Sequence, residues 1–355
     1  MAAAALIAVR LAAYAVLAPN GLAHDLCQWD CHWYLSIAGA GYEAAPHLVG
    51  DRLVANWAFF PLFPLSVRLL NTLAGIAPMI SGIAVATVAL WGFTVLGWLY
   101  RARTRPNASP WPWLLLLTAW PYAFYFNATY SEGLYAALTT ACLLALQAER
   151  PWLAAAACAL ATATRPTGIL LAGWFGLDRL RHAWRVRSPA GILSSLAPAV
   201  LAPLGLLGFM AFLWWRVGDP LAFAHIQSAW DHTLRNPLMV LLDAVRAADP
   251  KNGRFGLFYL VGWAVAGLAA GGLLLAKRRP AEAWLCAGTV LMALLSGVVW
   301  SMPRFVACNP AFLFAAADVL EALPSRSARA FVLVVLAAVQ TVFLLGWFRE
   351  AVYLI

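Results

Sequence analysis

The chain has 355 residues, 63% of them apolar and only 11% charged, with a formal net charge of +9 and a mean hydropathy of +0.77. A soluble domain carries roughly twice that charged fraction, so the composition excludes a water-soluble fold and predicts an all-α polytopic membrane protein. The positive charge does not imply nucleic acid, because the basic residues fall in short clusters between apolar runs, a pattern of membrane topology.

Residues 2–19 are apolar apart from Arg10 and lack a basic n-region, so they read as a retained first helix rather than a signal peptide. Next comes a polar, aromatic island at 27–42, CQWDCHWYLSIAGAGY, continued by NWAFFPLFP at 56–64. His24, Cys27, Cys31 and His32 read H-x2-C-x3-C-H. A metal site, a Cys27–Cys31 disulfide and free thiols all suit those residue types, although the spacing matches no common structural zinc pattern. Cys142, Cys158, Cys286 and Cys308 lie in apolar runs, as small buried hydrophobes do.

Residues 59–75 resemble a span but are interrupted by Pro61, Pro64, Arg68 and Asn71. The basic clusters are Arg101/Arg103/Arg105, Arg179/Arg181/Arg185/Arg187, Lys277/Arg278/Arg279 and Arg326/Arg329. Short-loop lysine and arginine mark the cytoplasmic side. Were 59–75 to cross the bilayer, the first cluster would fall outside; laid on the outer surface as an interfacial helix, it leaves all four inside. The predicted spans are then 2–19, 79–100, 112–127, 132–148, 152–164, 167–178, 191–215, 257–276, 281–300, 305–321 and 329–348, about eleven with the N-terminus inside. The two segments around Arg165-Pro166 are short enough to be broken or re-entrant. The whole chain, 1–355, reads as one transmembrane domain, with an extracytoplasmic catalytic loop at 20–78 and a second outer loop at 217–256.

This topology gathers the unusual polar residues on one face: Asp30, the NATYSE turn at 127–132, Arg165, the loop at 217–255 and the SMPR turn at 301–304. Asp30, a lone carboxylate beside Trp29, Trp33 and Tyr34, suits general-base work on a hydroxyl, and the aromatic faces suit sugar rings. Arg165 and Arg304 suit a lipid-linked phosphate, since guanidinium forms paired charge-assisted bonds with phosphate oxygens. The alternative, less favoured, is that they snorkel to headgroups or pair with Glu132. Glu132 can orient an acceptor or an arginine, or serve as an ordinary helix-start acid. His225, Gln227 and Trp230 can line a sugar pocket, while Trp230 also fits an interfacial aromatic belt. Asp25 and Asp51 read as solvated loop acids, and His24 and His47 have no evident partner. Asn127-Ala-Thr and Asn107-Ala-Ser match the glycosylation sequon by chance.

Trp29-Asp30, Trp33-Tyr34, Ile37-Ala38 and Gly41-Tyr42 resemble the WD-x-x-WY-x-x-IA-x-x-GY signature of the PIG-V-type GPI mannosyltransferase family and its prokaryotic relatives. FFPLFP at 59–64, Pro121 with Tyr130-Ser131-Glu132, TRPTG at 164–168, GDPLAF at 218–223 with Gln227 and Trp230, and Pro303-Arg304-Phe305 are similar to further family motifs, in order. The chain departs in being short and in crowding Cys27, Cys31 and His32 around the Asp.

The resemblance implies a GT-C-type helical bundle, a polyprenyl-phosphate donor carrying a hexose, most often mannose, and inversion at the anomeric carbon. It also implies Asp30 as the catalytic acid position, with donor-phosphate binding by Arg165 and Arg304 assigned on physical grounds. Trp29, Trp33, Tyr34, Tyr130, Glu132, His225, Gln227 and Trp230 are the candidate substrate contacts. No cofactor or metal is expected, because there is one strong carboxylate rather than a cluster. The expected partners are the lipid-linked donor, an acceptor hydroxyl on a glycan, lipid or protein, and membrane lipids. The expected place is a prokaryotic cytoplasmic membrane with the site facing outward. The rival classes are an oligosaccharide polymerase or ligase using a diphosphate-linked donor, a lipid or sugar transporter, and a non-catalytic subunit or lipid-binding scaffold.

Overall fold

The computed structural model describes residues 1–351 apart from 107, 187, 249–255 and 298. Its apolar runs are helices. α1 (Ala2–Leu17), α2 (Leu22–Asp25) and α3 (Cys31–Ala40) lead to an antiparallel hairpin, β1 (His47–Val49) with β2 (Arg52–Val54). There follow α4 (Leu62–Ala74), α5 (Pro78–Thr104), α6 (Trp111–Ala119), α7 (Glu132–Gln147), α8 (Pro151–Thr162), α9 (Gly168–Val186), α10 (Pro189–Leu201) and α11 (Leu204–Val217). The rest comprises α12 (Ala222–His225), α13 (Pro237–Ala247), α14 (Gly256–Ala276), α15 (Pro280–Leu295), α16 (Met302–Ala307), α17 (Pro310–Ala322) and α18 (Arg326–Trp347).

Among the described residues, three helices are long and apolar enough to cross a membrane: α5, α14 over 257–276, and α18. The α10–α11 pair qualifies only together, bent by 48°. Several expected spans are therefore broken, and proline is the cause. It supplies no N–H, and the residue before it is extended at Trp120 and Asn309, though not at Ala202. Thus 112–127 splits at Trp120-Pro121 into α6 and a 3₁₀ turn at Ala123–Phe126. The 191–215 run breaks at Pro203, and 305–321 breaks at Pro310, where Asn309 caps α17. α9 runs on to Val186, well past the expected 178.

The carbonyls freed at the Trp120-Pro121 break are taken by side chains. Arg10 Nη1 donates to the Leu117 carbonyl at 2.8 Å, and Gln340 Nε2 donates to those of Thr118 and Trp120 at 2.9 and 2.6 Å. Arg10 Nη2 also donates to Asn127 Oδ1 at 2.6 Å. A buried cation in the first apolar helix thereby has a structural purpose: it satisfies the end of a helix that could not continue. Asn127 is itself fully buried, which rules out its sequon; Asn107 lies outside the described residues.

The bundle has two chemically distinct ends. At one, Arg101 at the end of α5 is buried and donates to Asp318 at 2.9 Å and Glu321 at 2.7 Å, both on the last turns of α17. Arg105, Lys277 and Arg279 join the same acids. Asp30, Glu132, Arg165 and Arg304 lie at the other end. α4 starts and finishes there: the Leu62 N–H donates to the Ala163 carbonyl at 2.9 Å, and α4 ends three residues before α5 begins. It therefore lies across that end without crossing the bundle, with Phe63 and Val67 buried and Leu65, Leu69 and Leu73 exposed one turn apart. The sequence expectation that 59–75 does not cross thus matches a helix laid across one end of the bundle.

Candidate active site

Residues 27–31 form a closed turn. A Cys27–Cys31 disulfide spans it, with Cα atoms 5.1 Å apart, so of the three readings of these cysteines the structure takes the disulfide. Inside the turn Trp29 adopts φ 51°, a left-handed conformation strained for a bulky side chain and characteristic of functional turns. Asp30 then occupies the N-cap position of α3. An aspartate there ordinarily accepts an N–H of the first turn, but Asp30 makes no such bond. Its Oδ2 instead accepts from Arg304 Nη1 at 2.6 Å. The Asp30 backbone N–H is held by the Tyr130 hydroxyl at 3.0 Å, which donates in turn to the Gln28 carbonyl at 3.0 Å.

Ser131 repeats the pattern. It is the N-cap of α7 yet caps nothing; its Oγ meets the Tyr34 hydroxyl at 2.9 Å and accepts from Arg165 Nη1 at 3.3 Å. Two capping side chains have thus been diverted to one cluster. Glu132, the first residue of α7, is only 3% exposed and is in ion-pair contact with Arg165. Its same oxygen, Oε1, lies 3.5 Å from Arg304 Nε, while Oε2 is buried without a hydrogen-bond partner. The four side chains form a charge ladder, Asp30–Arg304–Glu132–Arg165, drawn from four separate connections.

The backbone explains how the arginines arrive. Arg165 sits in the reversal between α8 and α9, where any side chain at Gly168 would run into the Ala161 and Thr162 backbone. Arg304 sits on α16, a short helix opened by Ser301 at φ 63° and stopped before Pro310. Its guanidinium lies 5.8, 5.5 and 5.4 Å from the Tyr125, Tyr130 and Phe305 rings. Burial works against the Arg304 charge, but Asp30 and Glu132 outweigh it and raise the pKa, so it stays a cation. Burial also pushes the Tyr34 and Tyr130 phenols up, keeping them protonated as hydrogen-bonding groups.

Beside the ladder lies an aromatic shelf. Trp33, one turn along α3 from Asp30, stacks on Phe59 with centroids 5.8 Å apart and meets the edge of Trp230 at 5.9 Å. The hairpin straps this shelf: Arg52 donates to the Ala229 carbonyl at 2.8 Å and to Asp231 at 3.0 Å. Trp230 thus joins the site from the 217–256 loop, whose residues 249–255 lie outside those described. His225 is exposed and paired with Asp219 at 2.7 Å, and Gln227 is half-buried on the Ile226–Trp230 turn; neither contacts the ladder. Asp25 is not a solvated acid. It is fully buried, accepting from Asn20 and His24, while His47 finds Glu43 at 3.4 Å.

Sequence reasoning missed Ser131 as a site residue, although it lies inside a matched motif. It also missed Tyr125, Phe59 and Trp347. The Trp347 ring packs 5.6 Å from Tyr130 and 5.0 Å from Tyr125, and nothing in the apolar run around it signals that position.

The family model for Mannosyltransferase (PIG-V) matches residues 3–188, just over half of the 355-residue chain. The chain belongs to the PIG-V mannosyltransferase family. The matched PIG-V stretch carries Asp30, Tyr130, Glu132 and Arg165; Arg304 lies beyond it and is tied to it by the ladder. GPI alpha-1,6-mannosyltransferase 2 of Cricetulus griseus is 32% identical over 199 residues, 52% of this chain and 35% of that protein. The Homo sapiens protein of that name is 29% identical over 169 residues, 44% of this chain and 32% of its own. This PIG-V chain thus spans about a third of the length of these curated relatives. Among solved structures, the Archaeoglobus fulgidus oligosaccharyltransferase aligns with 99% of this chain and 53% of its own, at 14% identity and a TM-score of 0.45.

Proposed function

We propose that the protein is a membrane glycosyltransferase that moves a hexose, mannose by preference, from a polyprenyl-phosphate donor to an acceptor hydroxyl. One observation carries this reading: Asp30 and Arg304 are in direct contact, so a base and a phosphate-binding cation stand within one sugar's reach of each other. In this scheme Asp30 takes the acceptor proton as the hydroxyl oxygen attacks C1. The C1–O bond to the phosphate breaks, and the lipid phosphate departs with the electron pair, its charge met by Arg304 and Arg165. A single displacement inverts C1. Asp30 Oδ1 has no hydrogen-bond donor among the described residues and is the oxygen free to accept that proton.

Two further features support the reading. The Trp33–Phe59–Trp230 shelf offers ring faces of the kind that sugars stack on. An apolar crevice of about 430 Å³ between α6, α14, α17 and α18 is lined by Trp120, Leu273, Phe312, Val319 and Leu323 among others, and suits an isoprenoid tail. Its Trp120 donates to the Ala307 carbonyl at 2.9 Å, on the helix that carries Arg304. The site faces outward in this proposal, since the basic ends of the helices mark the cytoplasmic side. The reaction as written needs no metal.

The test is transfer by purified protein in detergent, with a short-chain polyprenyl-phosphate mannose and EDTA, for wild type and Asp30→Asn. Transfer or donor hydrolysis by wild type alone supports donor and base together. Equal rates in both discard Asp30 as base, and retention at C1, read by NMR, discards the single displacement. Turnover only with a diphosphate-linked donor transfers the assignment to the polymerase or ligase class.

A further inference from the structure

The ladder contains a competition that bears on the order of events, and it rests on the donor-phosphate reading of Arg304. In the structure Arg304 is already occupied: its Nη1 holds Asp30, and its Nε faces Glu132. A phosphate reaching Arg304 must displace one of the two acids. They are not equivalent. Glu132 is 3% exposed, serves Arg165 as well, and sits at the positive end of α7. Asp30 is 25% exposed, touches Arg304 through one oxygen, and gave up its capping role to do so. Removing Glu132 would strand two buried arginines, whereas removing Asp30 returns a carboxylate to a partly wet turn.

We infer that Arg304 has two successive partners, Asp30 in the empty site and the donor phosphate in the loaded one, with Glu132 the fixed positioning residue that keeps both arginines in place throughout. The carboxylate that accepts the proton is then released only when the donor binds. An acceptor entering first therefore meets a carboxylate whose Oδ2 is still held by Arg304. Donor precedes acceptor, and the departing lipid phosphate must leave before Asp30 can be captured again.

A double-mutant cycle on donor binding tests this, using a non-transferable C-glycosyl phosphonate with a short polyprenyl tail. With Arg304 present, Asp30→Asn removes the competitor and should tighten phosphonate binding about tenfold, the scale of one charge-assisted hydrogen bond. In an Arg304→Gln background the same change should leave affinity within about twofold. Equal tightening in both backgrounds would mean that Asp30 acts only by long-range repulsion, and the exchange is overturned. If Arg304→Gln does not fold, Arg304→Lys replaces it. Lysine keeps the charge but offers a single point of contact, so the tightening should shrink to a few-fold; an undiminished tenfold effect counts against the exchange. Failure of wild type to bind the phosphonate at all would instead remove the donor-phosphate reading on which the inference stands.

Discussion

Replacing Glu132 by glutamine probes the centre of the ladder with almost no change of shape. Glu132 is the shared counter-ion of Arg165 and Arg304, whose side chains are themselves only 13% and 10% exposed. Removing one member of a buried pair typically costs ~3–5 kcal/mol, because the partner's charge is left uncompensated. Here Asp30 still holds Arg304 at 2.6 Å, so the loss should fall at the lower end, about 3 kcal/mol. The surplus positive charge should be met by anionic ligands. Polyprenyl phosphate added in large excess should therefore raise the melting temperature of Glu132→Gln more than that of wild type. Thermal unfolding in detergent, followed by tryptophan fluorescence with and without the lipid phosphate, measures both effects. In turnover, kcat should fall while the donor KM stays level or drops, since the arginines keep their charge but lose their alignment. An unchanged melting point, or equal stabilisation of both proteins by phosphate, would refute the counter-ion role.

Arg10→Met should cost about 1–3 kcal/mol, because the Leu117 carbonyl and Asn127 Oδ1 lose their donor inside the bundle; an unchanged melting temperature would show that the Trp120-Pro121 break does not need it. Reducing the Cys27–Cys31 bridge should lower the transfer rate several-fold with little change in global stability, since the bridge closes only a short turn around Asp30; equal rates with and without reductant would disconnect it from the site. The Asp219 carboxyl is held below its usual range, chiefly by the hydrogen bond with His225. Any stability from that contact is present above the ordinary aspartate value near pH 4 and is lost as pH falls through the lowered one. In His225→Asn the Asp219 carboxyl, followed by carbon NMR, should titrate closer to the ordinary value.

The helical class follows from composition alone, because a chain with so few charges and such long apolar runs can satisfy its backbone in lipid only as helices or a closed barrel. Prolines at 121, 203 and 310 state in the sequence where those helices must stop, yet hydropathy averages across them, so 112–127 and 305–321 read as continuous. That 59–75 does not cross the bundle was also legible, since Arg68 and Asn71 interrupt an otherwise plausible span. Asp30, Glu132, Arg165 and Arg304 each stand out as ionisable residues in apolar or aromatic company.

Their order in the ladder was not legible. Residues 30 and 304 meet only through tertiary packing, and no local pattern encodes a contact between groups 274 positions apart. The same holds for Trp347, apolar in sequence and a wall of the site in space, and for Asp25, which looks like a loop acid until Asn20 and His24 close over it. Sequence determines which groups are too costly to bury alone; tertiary structure decides which partner each receives, because a buried charge takes whatever counter-charge the packing of distant helices brings within reach.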